Sequence, residues 1–407
     1  MSLHSESNES ERDDDELKQL VQRWALRSPF VSLSTLEDAE KFILDYARMR
    51  DREASHLGLK VLLSQDGFGP DDTLTSLTLS TLDTIELQNL TDEIYAVLTS
   101  SNAGPIVTSD IMARIWLSTR ALPSQLLVRD VTNVSAHPFA VTASSNVHEG
   151  ITDSLRMALK TFRRTQVGVP EAAVKRFFFE TLISQSLQHP NILPVLGIYS
   201  GKSPNIYMAS KLVDYGPLPY YLESHPEADR LYLLTKAAKA IAYLHALPDP
   251  ILHGDVRGMN VLVDGDGQPL LIDLGYSMIL DTGTGTFLPA VHTHAGNPRW
   301  TAPEKIRPSE YAITLTADSY SFASFMVEVF SGKVPFDHLR NDAAVVIEVL
   351  VRQRHPARPT GPYAHQLTDP LWELMQRSWS RDPAARPSMR EVHEFLVSMA
   401  NAKSPRI

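Results

Sequence analysis

The chain has 407 residues, of which 43% are hydrophobic and 21% are charged, and its formal net charge is −10. These proportions are typical of a globular protein and leave room for one large domain beside a smaller region. The absence of cysteine excludes disulfides, thiolate catalysis and zinc sites built on cysteine. Because neither a signal-peptide pattern nor a run of about 18 apolar residues occurs, we expect a cytoplasmic protein, with the nucleus as a further location.

The N-terminal third of the chain is acidic and has a helical pattern. Residues 1–16 carry almost no apolar side chains, so we expect a disordered acidic tail there. Residues 17–125 predict a small helical region, with one helix across 79–99 and another that starts at Thr108 or Ser109. The acidic charge argues against binding of nucleic acid or an anionic membrane. The region is either a docking site for a protein partner or a packing appendage.

After Leu122 the pattern changes, first to strands and then to helices. Alternating apolar residues predict short strands, the strongest of which runs from Leu155 to Phe162. Beyond Thr301 nearly all of the chain has helical periodicity. We therefore predict an α+β fold of two lobes over 126–400, with a small antiparallel β lobe at about 126–212 and a large α-helical lobe at about 213–400.

The most informative stretch runs from His253 to Asn260, with the sequence His-Gly-Asp-Val-Arg-Gly-Met-Asn, and Asp273-Leu274-Gly275 follows it. Phosphoryl transfer needs a carboxylate that orients a hydroxyl and divalent metal that neutralises charge on the polyphosphate. Asp255 supplies the carboxylate, and Asn260 with Asp273 the metal ligands. The residues between them predict a β-hairpin with an Asp-Gly-Asp-Gly turn, which brings Asn260 and Asp273 to the same end.

This stretch resembles the catalytic loop and the metal-binding turn of eukaryotic protein kinases. Gly254 and Leu274 depart from the family pattern, which has arginine and phenylalanine at these positions. Further segments continue the resemblance in the same order over about residues 131–400. They are the strand Arg156–Lys160, Thr301-Ala302-Pro303-Glu304, the aspartate Asp318, and the segment 379–387 with Arg386. The resemblance implies that Asp318 braces the backbone of the catalytic loop and that Arg386 pairs with Glu304. The segment 379–387 and the pair Trp300-Thr301 are most similar to the tyrosine-kinase-like group.

The resemblance implies a bilobal protein-kinase-like fold that uses ATP with Mg²⁺ or Mn²⁺ to phosphorylate protein substrates in signalling. It implies that Asp255 orients and deprotonates the target hydroxyl and that Arg257 supports the γ-phosphate. It also implies that Lys160, paired with Glu180, holds the phosphates, and that Asn260 and Asp273 bind the metal. The other positions that it places around the nucleotide are Val147, Ala158, Ser210, Lys211, Val213 and Leu262.

The phosphate-covering loop departs most from the family. Ala140, Thr142 and Ser145 stand where protein kinases have glycines, which let backbone amides approach the phosphates. Strained or retracted backbone there would cost about 1 to 3 kcal/mol, or roughly tenfold to hundredfold in ATP affinity. A scaffold of kinase fold with weak or no catalysis is therefore one alternative. A small-molecule phosphotransferase is another, because such enzymes share the His-Gly-Asp pattern, but the segments around Glu304 and Arg386 favour protein substrates.

Two more positions bear on regulation and specificity. Gly254 has no side chain to receive an activation-loop phosphate. We therefore expect activity that does not depend on phosphorylation of the nearby hydroxyls, which belong to Ser277, Thr282, Thr284, Thr286 and Thr293. Asn297 stands where Ser/Thr kinases usually have threonine, so the sequence leaves the target hydroxyl open between Ser/Thr and Tyr, with Ser/Thr favoured.

Overall fold

The computed structural model describes residues 84–100, 104–142, 145–153, 155–163, 170–201, 205–281, 286–289, 296–307 and 312–403. The predicted acidic tail and the helical pattern before residue 84 lie outside these residues. The described chain forms two compact units. The first unit contains the described residues within 1–154, 159–182 and 196–209, and the second contains those within 155–158, 183–195 and 210–407.

Strands and helices are largely segregated along the described chain, as in an α+β fold: the strands lie between residues 140 and 289, and helices alone follow Pro303. The helices are α1 (Thr84–Ser100), α2 (Gly104–Thr119), α3 (Glu171–Ser186), α4 (Leu218–Ser224), α5 (Arg230–His245), α6 (Pro303–Ile306), α7 (Thr316–Ser331), α8 (Asp342–Val346), α9 (Asp369–Ser378) and α10 (Met389–Lys403). The strands are β1 (Ala140–Val141), β2 (Ser145–Thr152), β3 (Leu155–Phe162), β4 (Val195–Ser200), β5 (Ile206–Lys211), β6 (Gly216–Pro217), β7 (Ile251–Leu252), β8 (Val261–Val263), β9 (Pro269–Leu271), β10 (Met278–Asp281) and β11 (Thr286–Pro289).

A five-stranded sheet in the order β1-β2-β3-β5-β4 is built from the described strands between residues 140 and 211. The predicted strand from Leu155 to Phe162 is confirmed as β3. Its alternate residues Met157 and Leu159 are fully buried, as are Phe178 and Phe179 of helix α3. A strand that buries every second side chain under a helix is the expected result of its period-two pattern, and the predicted α+β fold class is confirmed.

The helices α1 and α2 belong to the same unit as this sheet. Trp116 of α2 is buried and meets the ring of Phe162, at the end of β3, edge to face at 6.0 Å between ring centroids. Phe162 in turn contacts Phe177 of α3 at 5.7 Å. On the same side Lys175 Nζ of α3 lies 2.6 Å from Asp110 Oδ1 of α2. For the described helices these contacts favour the packing role over a docking site for a partner.

The start that the sequence predicts for α2 is wrong. The helix begins at Gly104 rather than at Thr108 or Ser109. Both hydroxyls lie within the helix, where Thr108 Oγ1 donates to the Gly104 carbonyl and Ser109 Oγ to the Ile106 carbonyl. Serine and threonine can satisfy a carbonyl of the preceding turn as well as cap a helix, so the residue type alone does not locate the first turn.

The second unit is mainly helical and surrounds helix α7. Asp229 caps helix α5 by accepting from the backbone amide of Tyr232, and Gly332 ends α7 with a left-handed φ of 69°. Nearly all side chains of α7 are buried, including those of the charged Asp318 and Glu328. In the part of the chain that the structure describes, no helix is both long enough and apolar enough to span a membrane.

Candidate active site

The backbone of the predicted catalytic loop leads into the predicted hairpin. Strand β8 pairs antiparallel with β9, with Val261 opposite Leu271. One residue further along, the Ile272 amide donates to the Asn260 carbonyl at 3.0 Å. This pairing places Asn260 beside the residue that precedes Asp273, as the sequence predicts. The Asp264 side chain accepts from the amides of Asp266 and Gln268 and so closes the turn.

Asp255 and Asn260 are in direct contact. Asn260 Nδ2 donates to the Asp255 carboxylate at 2.7 Å and to the Asp255 carbonyl at 2.8 Å. Burial raises the pKa of Asp255 above its ordinary value, and the negative charge of Asp273 adds to the rise, whereas Arg257, His253 and the Asn260 hydrogen bond oppose it. A raised pKa makes the carboxylate a better proton acceptor. Its side chain is thus held in one orientation and suited to act as a base.

The fully buried ring of His253 joins the loop to the hairpin. The Asp255 amide donates to its Nδ1 at 3.2 Å, so Nδ1 is the accepting nitrogen. Its Nε2 therefore carries the proton and donates to the Ile272 carbonyl at 3.0 Å. One imidazole ring thus contacts both the residue that bears the carboxylate and the strand end that leads to Asp273.

Asp318, on helix α7, holds the start of the loop through hydrogen bonds from backbone amides. Its carboxylate accepts from the backbone amides of His253 at 2.8 Å and Gly254 at 2.9 Å, and His245 Nε2 lies 2.9 Å away. Burial disfavours the charge, but the His245 contact, the charge on His253 and the Gly254 amide together hold the pKa of Asp318 below its ordinary value. This is the bracing contact that the resemblance implies.

Arg257 lies against an aromatic ring rather than in a salt bridge. Its guanidinium carbon is 5.1 Å from the centroid of the Trp300 ring. Its Nε is buried and has no hydrogen-bond partner in the described chain. Arg257 also lowers the pKa of Asp255 by its charge. The guanidinium group therefore stacks on the Trp300 ring, and its charge is not paired with a carboxylate in a salt bridge among the described residues. A residue that binds phosphate requires such an available positive charge.

Asp273 adopts a left-handed backbone conformation with φ of 67°, and its Oδ1 accepts from the Gly275 amide at 3.3 Å. Across the hairpin, Asn260 makes both of its contacts with Asp255 through Nδ2, so its Oδ1 takes no part in them. A carboxylate and an amide oxygen suit Mg²⁺, which is held by few protein ligands together with substrate phosphates. Among the described residues no cluster of three or more His, Asp or Glu forms a metal site. The donor set fits a nucleotide-bound metal rather than a site enclosed by protein.

In the first unit, Lys160 and Glu180 form the ion pair that the resemblance implies. Lys160 Nζ lies 2.6 Å from Glu180 Oε1, and only 7% of the Glu180 side chain is exposed. Strand β3 presents the lysine and helix α3 the glutamate. The contact holds the ammonium at a fixed point of the sheet.

The remaining positions that were expected around the nucleotide are divided between the strands. Val147 lies on β2, where it pairs with Ala140, and partly buried Ala158 lies on β3. Ser210 and Val213 are buried near the end of β5, whereas Lys211 between them is exposed. Leu262 is partly buried on β8. Their part in nucleotide binding stays a prediction.

The turn between β1 and β2 holds the residues at the expected glycine positions. Thr142 Oγ1 lies 2.8 Å from Ser145 Oγ and accepts from the Ser145 amide at 3.0 Å, and the Thr142 amide donates to the Ser145 carbonyl. None of the three residues at the glycine positions, Ala140, Thr142 and Ser145, has a positive φ. At these three positions the backbone does not use the conformation that favours glycine, and the expected loss of ATP affinity stays a prediction.

A second pair fixes the segment after the loop. Arg386 Nη1 and Nη2 lie 2.7 and 2.9 Å from the two carboxylate oxygens of Glu304. The side chains are 0% and 1% exposed, so the pair is fully buried. Two parallel bonds give the planar geometry that arginine and carboxylate favour, and the interaction expected from the resemblance is present.

Two residues that the sequence analysis missed touch the loop. Glu328 of helix α7 accepts from the Gly258 amide at 2.8 Å and from Trp300 Nε1 at 3.0 Å. Burial raises its pKa to about 6. Lys305 of α6 donates from Nζ to the Gly254 carbonyl at 2.6 Å. The signal for Glu328 was a carboxylate inside the run 325–330 of α7, whose other residues are apolar, because a buried charge needs partners.

Ser277 does not belong with the hydroxyls available for phosphorylation. It is buried, and its Oγ donates to the Leu274 carbonyl. Of the other four hydroxyls, Thr282, Thr284 and Thr293 lie outside the described residues, and Thr286 is described by its backbone alone.

Comparison with known families identifies the fold. The family model for protein tyrosine and serine/threonine kinases matches residues 138–396. The chain belongs to the protein kinase family. The matched kinase region includes the paired Lys160 and Glu180 as well as the loop with Asp255.

Similar kinases come from animals and viruses. The chain is 27% identical over 288 residues to the mouse serine/threonine-protein kinase TNNI3K, which covers 69% of this chain and 33% of the relative. It is 29% identical over 316 residues to the putative serine/threonine-protein kinase/receptor R831 of Acanthamoeba polyphaga mimivirus, covering 75% and 18%. It is 28% identical over 270 residues to the tyrosine-protein kinase transforming protein Abl of Abelson murine leukemia virus, covering 63% and 33%. The chain thus spans a third or less of each of these relatives.

Proposed function

We propose that this kinase transfers the γ-phosphoryl group of ATP to Ser or Thr hydroxyls of protein substrates. The observation that carries the proposal is the arrangement of Asp255, Asn260 and Asp273 at one end of the β8–β9 hairpin. All three side-chain types that phosphoryl transfer requires in this region are present.

In the proposed mechanism Asp255 orients the substrate hydroxyl and accepts its proton as the oxygen attacks the phosphorus. Asn260 holds the carboxylate through Nδ2, and His253 holds the peptide that carries it. Arg257 contributes positive charge beside the reacting groups. Asn260 and Asp273 would hold Mg²⁺, which neutralises phosphate charge when it is bound. In the other unit Lys160, fixed by Glu180, offers its ammonium group to the phosphates.

A scaffold without turnover is the second candidate, and one observation favours it. The turn at Thr142 and Ser145 is closed by hydroxyl groups rather than left open by glycines. The amides of Thr142 and Ser145 have partners within the turn, so neither is left for a phosphate oxygen. The small-molecule phosphotransferase has no comparable support, because the buried Glu304–Arg386 pair belongs to the protein-kinase pattern.

The target hydroxyl is inferred from weaker signs. Relatives of both the Ser/Thr and the tyrosine type match the chain. At Asn297 the backbone carbonyl accepts from Thr301 Oγ1 at 2.8 Å, which ties the segment beside the loop to the start of α6. Degenerate peptide libraries with Ser, Thr or Tyr as the fixed acceptor will decide the preference.

Two measurements test the proposal. Because a ligand that binds the native state raises its stability, Mg-ATP should raise the melting temperature of the protein, and Lys160→Met should reduce the rise. Phosphate incorporation into protein or peptide substrates should vanish in Asp255→Asn. The matched control is Asp266→Asn, an exposed aspartate in the turn of the same hairpin, which should keep the activity. A thermal shift without any transfer would favour the scaffold.

A further inference from the structure

The position before the catalytic aspartate is closed to a side chain. Gly254 has φ of 80°, a conformation that residues other than glycine rarely adopt. A Cβ built on it would lie 2.5 Å from the Tyr276 carbonyl oxygen and 2.7 Å from Lys305 Nζ. The arginine of the usual kinase pattern therefore does not fit here unless its surroundings move.

A cation lies at this place nevertheless, and it comes from another part of the chain. Lys305 Nζ donates to the Gly254 carbonyl at 2.6 Å from a sequence separation of 51 residues. Burial lowers the pKa of Lys305, while the charges of Asp318, Asp255 and Glu304 favour its protonated form. Its partner atom belongs to the peptide bond that joins Gly254 to Asp255.

The backbone of Lys305 is held in place by its neighbours in the chain. Lys305 follows Glu304, whose carboxylate is bound on both oxygens by Arg386. The Lys305 amide also donates to the Ala302 carbonyl at 3.0 Å within the first turn of α6. When the backbone of a long flexible side chain is fixed, fewer positions remain open to its end group. The ammonium group of Lys305 is therefore held in a defined place beside the loop.

We propose that Lys305 is a positioning residue that holds the catalytic loop through the Gly254 carbonyl and replaces the cation that other kinases carry on the loop itself. The proposal rests on the proposed kinase function and adds how this loop is kept in place. Asp318 accepts from the Gly254 amide and Lys305 donates to the Gly254 carbonyl, so this residue is held at both of its backbone polar groups. Asp255 follows directly.

One consequence concerns regulation. An arginine on the loop can be recruited by a phosphate on the activation segment, whereas Lys305 already has its partner within the loop. Lys305 then holds the catalytic loop even when the activation segment carries no phosphate. This supplies a structural reason for activity that does not depend on phosphorylation.

The test compares Lys305→Met with the parent protein by hydrogen–deuterium exchange and by kinetics. We expect exchange to become at least about tenfold faster in peptides that cover the loop 251–263, and to stay unchanged in the first unit. We expect kcat to fall roughly tenfold to hundredfold, the range for one lost charge-assisted hydrogen bond, with KM for ATP and peptide within about threefold. Lys305→Arg, which keeps the charge, should lie between the two proteins. The control is Lys333→Met, an exposed lysine of the same unit, which should match the parent.

The exchange measurement needs no turnover, so it judges the proposal even if the protein proves to be a scaffold. A parent protein without transfer would contradict the proposed function, and loop exchange would still decide the role of Lys305. Unchanged loop exchange in Lys305→Met overturns the proposal. If Lys305→Met loses protection throughout the second unit, Lys305→Gln, which keeps a donor, is measured in its place. A unit-wide loss in both variants indicates a general packing role and also overturns the proposal.

Discussion

Replacing Arg386 with methionine should destabilise the second unit by about 3 to 5 kcal/mol, the cost of leaving one partner of a buried ion pair uncompensated. Glu304 and Arg386 meet through bonds of 2.7 and 2.9 Å, and their side chains are 1% and 0% exposed. Methionine has a similar shape to the arginine stem, so little packing volume is lost. The Glu304 carboxylate would then lie in the interior without a cation, and the Ser380 carbonyl would lose its donor.

The pair Arg358–Asp369 gives a matched control. Its atoms are 2.6 Å apart, but the side chains are 43% and 80% exposed. Exposed pairs contribute about 0 to 1 kcal/mol because water solvates both charges after the contact is lost. Arg358→Met should therefore change the free energy of unfolding by less than about 1 kcal/mol. Both variants remove an arginine–carboxylate contact at a similar distance, with two bonds in the buried pair and one in the exposed pair, and the sites differ strongly in burial.

Urea unfolding can be followed by tryptophan fluorescence, since Trp300, Trp372 and Trp379 all lie in the second unit. With a slope of about 2 kcal/mol per molar urea, Arg386→Met should lower the midpoint by roughly 1.5 to 2.5 M and the control by less than about 0.5 M. Adding Glu304→Met to Arg386→Met should recover part of the loss, because the isolated charge is removed. Equal shifts in the two single variants, or an additive double variant, would refute the reasoning.

Three further predictions concern other parts of the structure. Gly254→Arg should abolish activity rather than improve it, since its Cβ would meet Tyr276 and Lys305; retained turnover in a phosphorylation assay would contradict the geometry. Glu328 has a pKa of about 6 against an ordinary 4.5, so its ionisation should cost the native state about 2 kcal/mol in total as pH rises from well below 4.5 to well above 6. The difference in unfolding free energy between the parent and Glu328→Gln should change by that amount across this range, and parallel pH curves would disprove it. Trp116→Ala should destabilise the first unit by about 3 to 5 kcal/mol, and a smaller change than about 1 kcal/mol in chemical denaturation would show that the ring is not part of the core.

Much of the active-site loop could be read from the sequence because its constraints are local. Asn260 and Asp273 are joined by a hairpin whose turn residues dictate its register, so their placement follows from spacing alone. The pairing of Lys160 with Glu180 was expected from the family pattern, and the structure contains it. The hydrogen bond from the Ser145 amide to the Thr142 hydroxyl in the β1–β2 turn was not expected from the sequence, and the effect of this turn on ATP affinity stays a prediction.

The features that escaped the sequence depend on contacts between distant segments. Lys305 meets the loop only because the Glu304–Arg386 pair fixes α6 beside it, and no periodic pattern encodes that approach. The same holds for Trp116, whose helical spacing indicates burial but not which ring it meets. A pattern of apolar residues states that a face is covered, and the tertiary structure alone states what covers it.

Because α2 packs against Phe162, the first unit begins in the sequence before the region that the kinase family model matches. The family match starts at residue 138, whereas the core of the first unit already includes Leu122 and Leu126, which are buried. A fragment cut at the family boundary would expose Phe162 and leave Lys175 without Asp110. If this catalytic region is transferred to another protein by recombination, helices α1 and α2 must be transferred with it. The segment 138–396 that defines the family is thus shorter than the segment of chain that packs as one core.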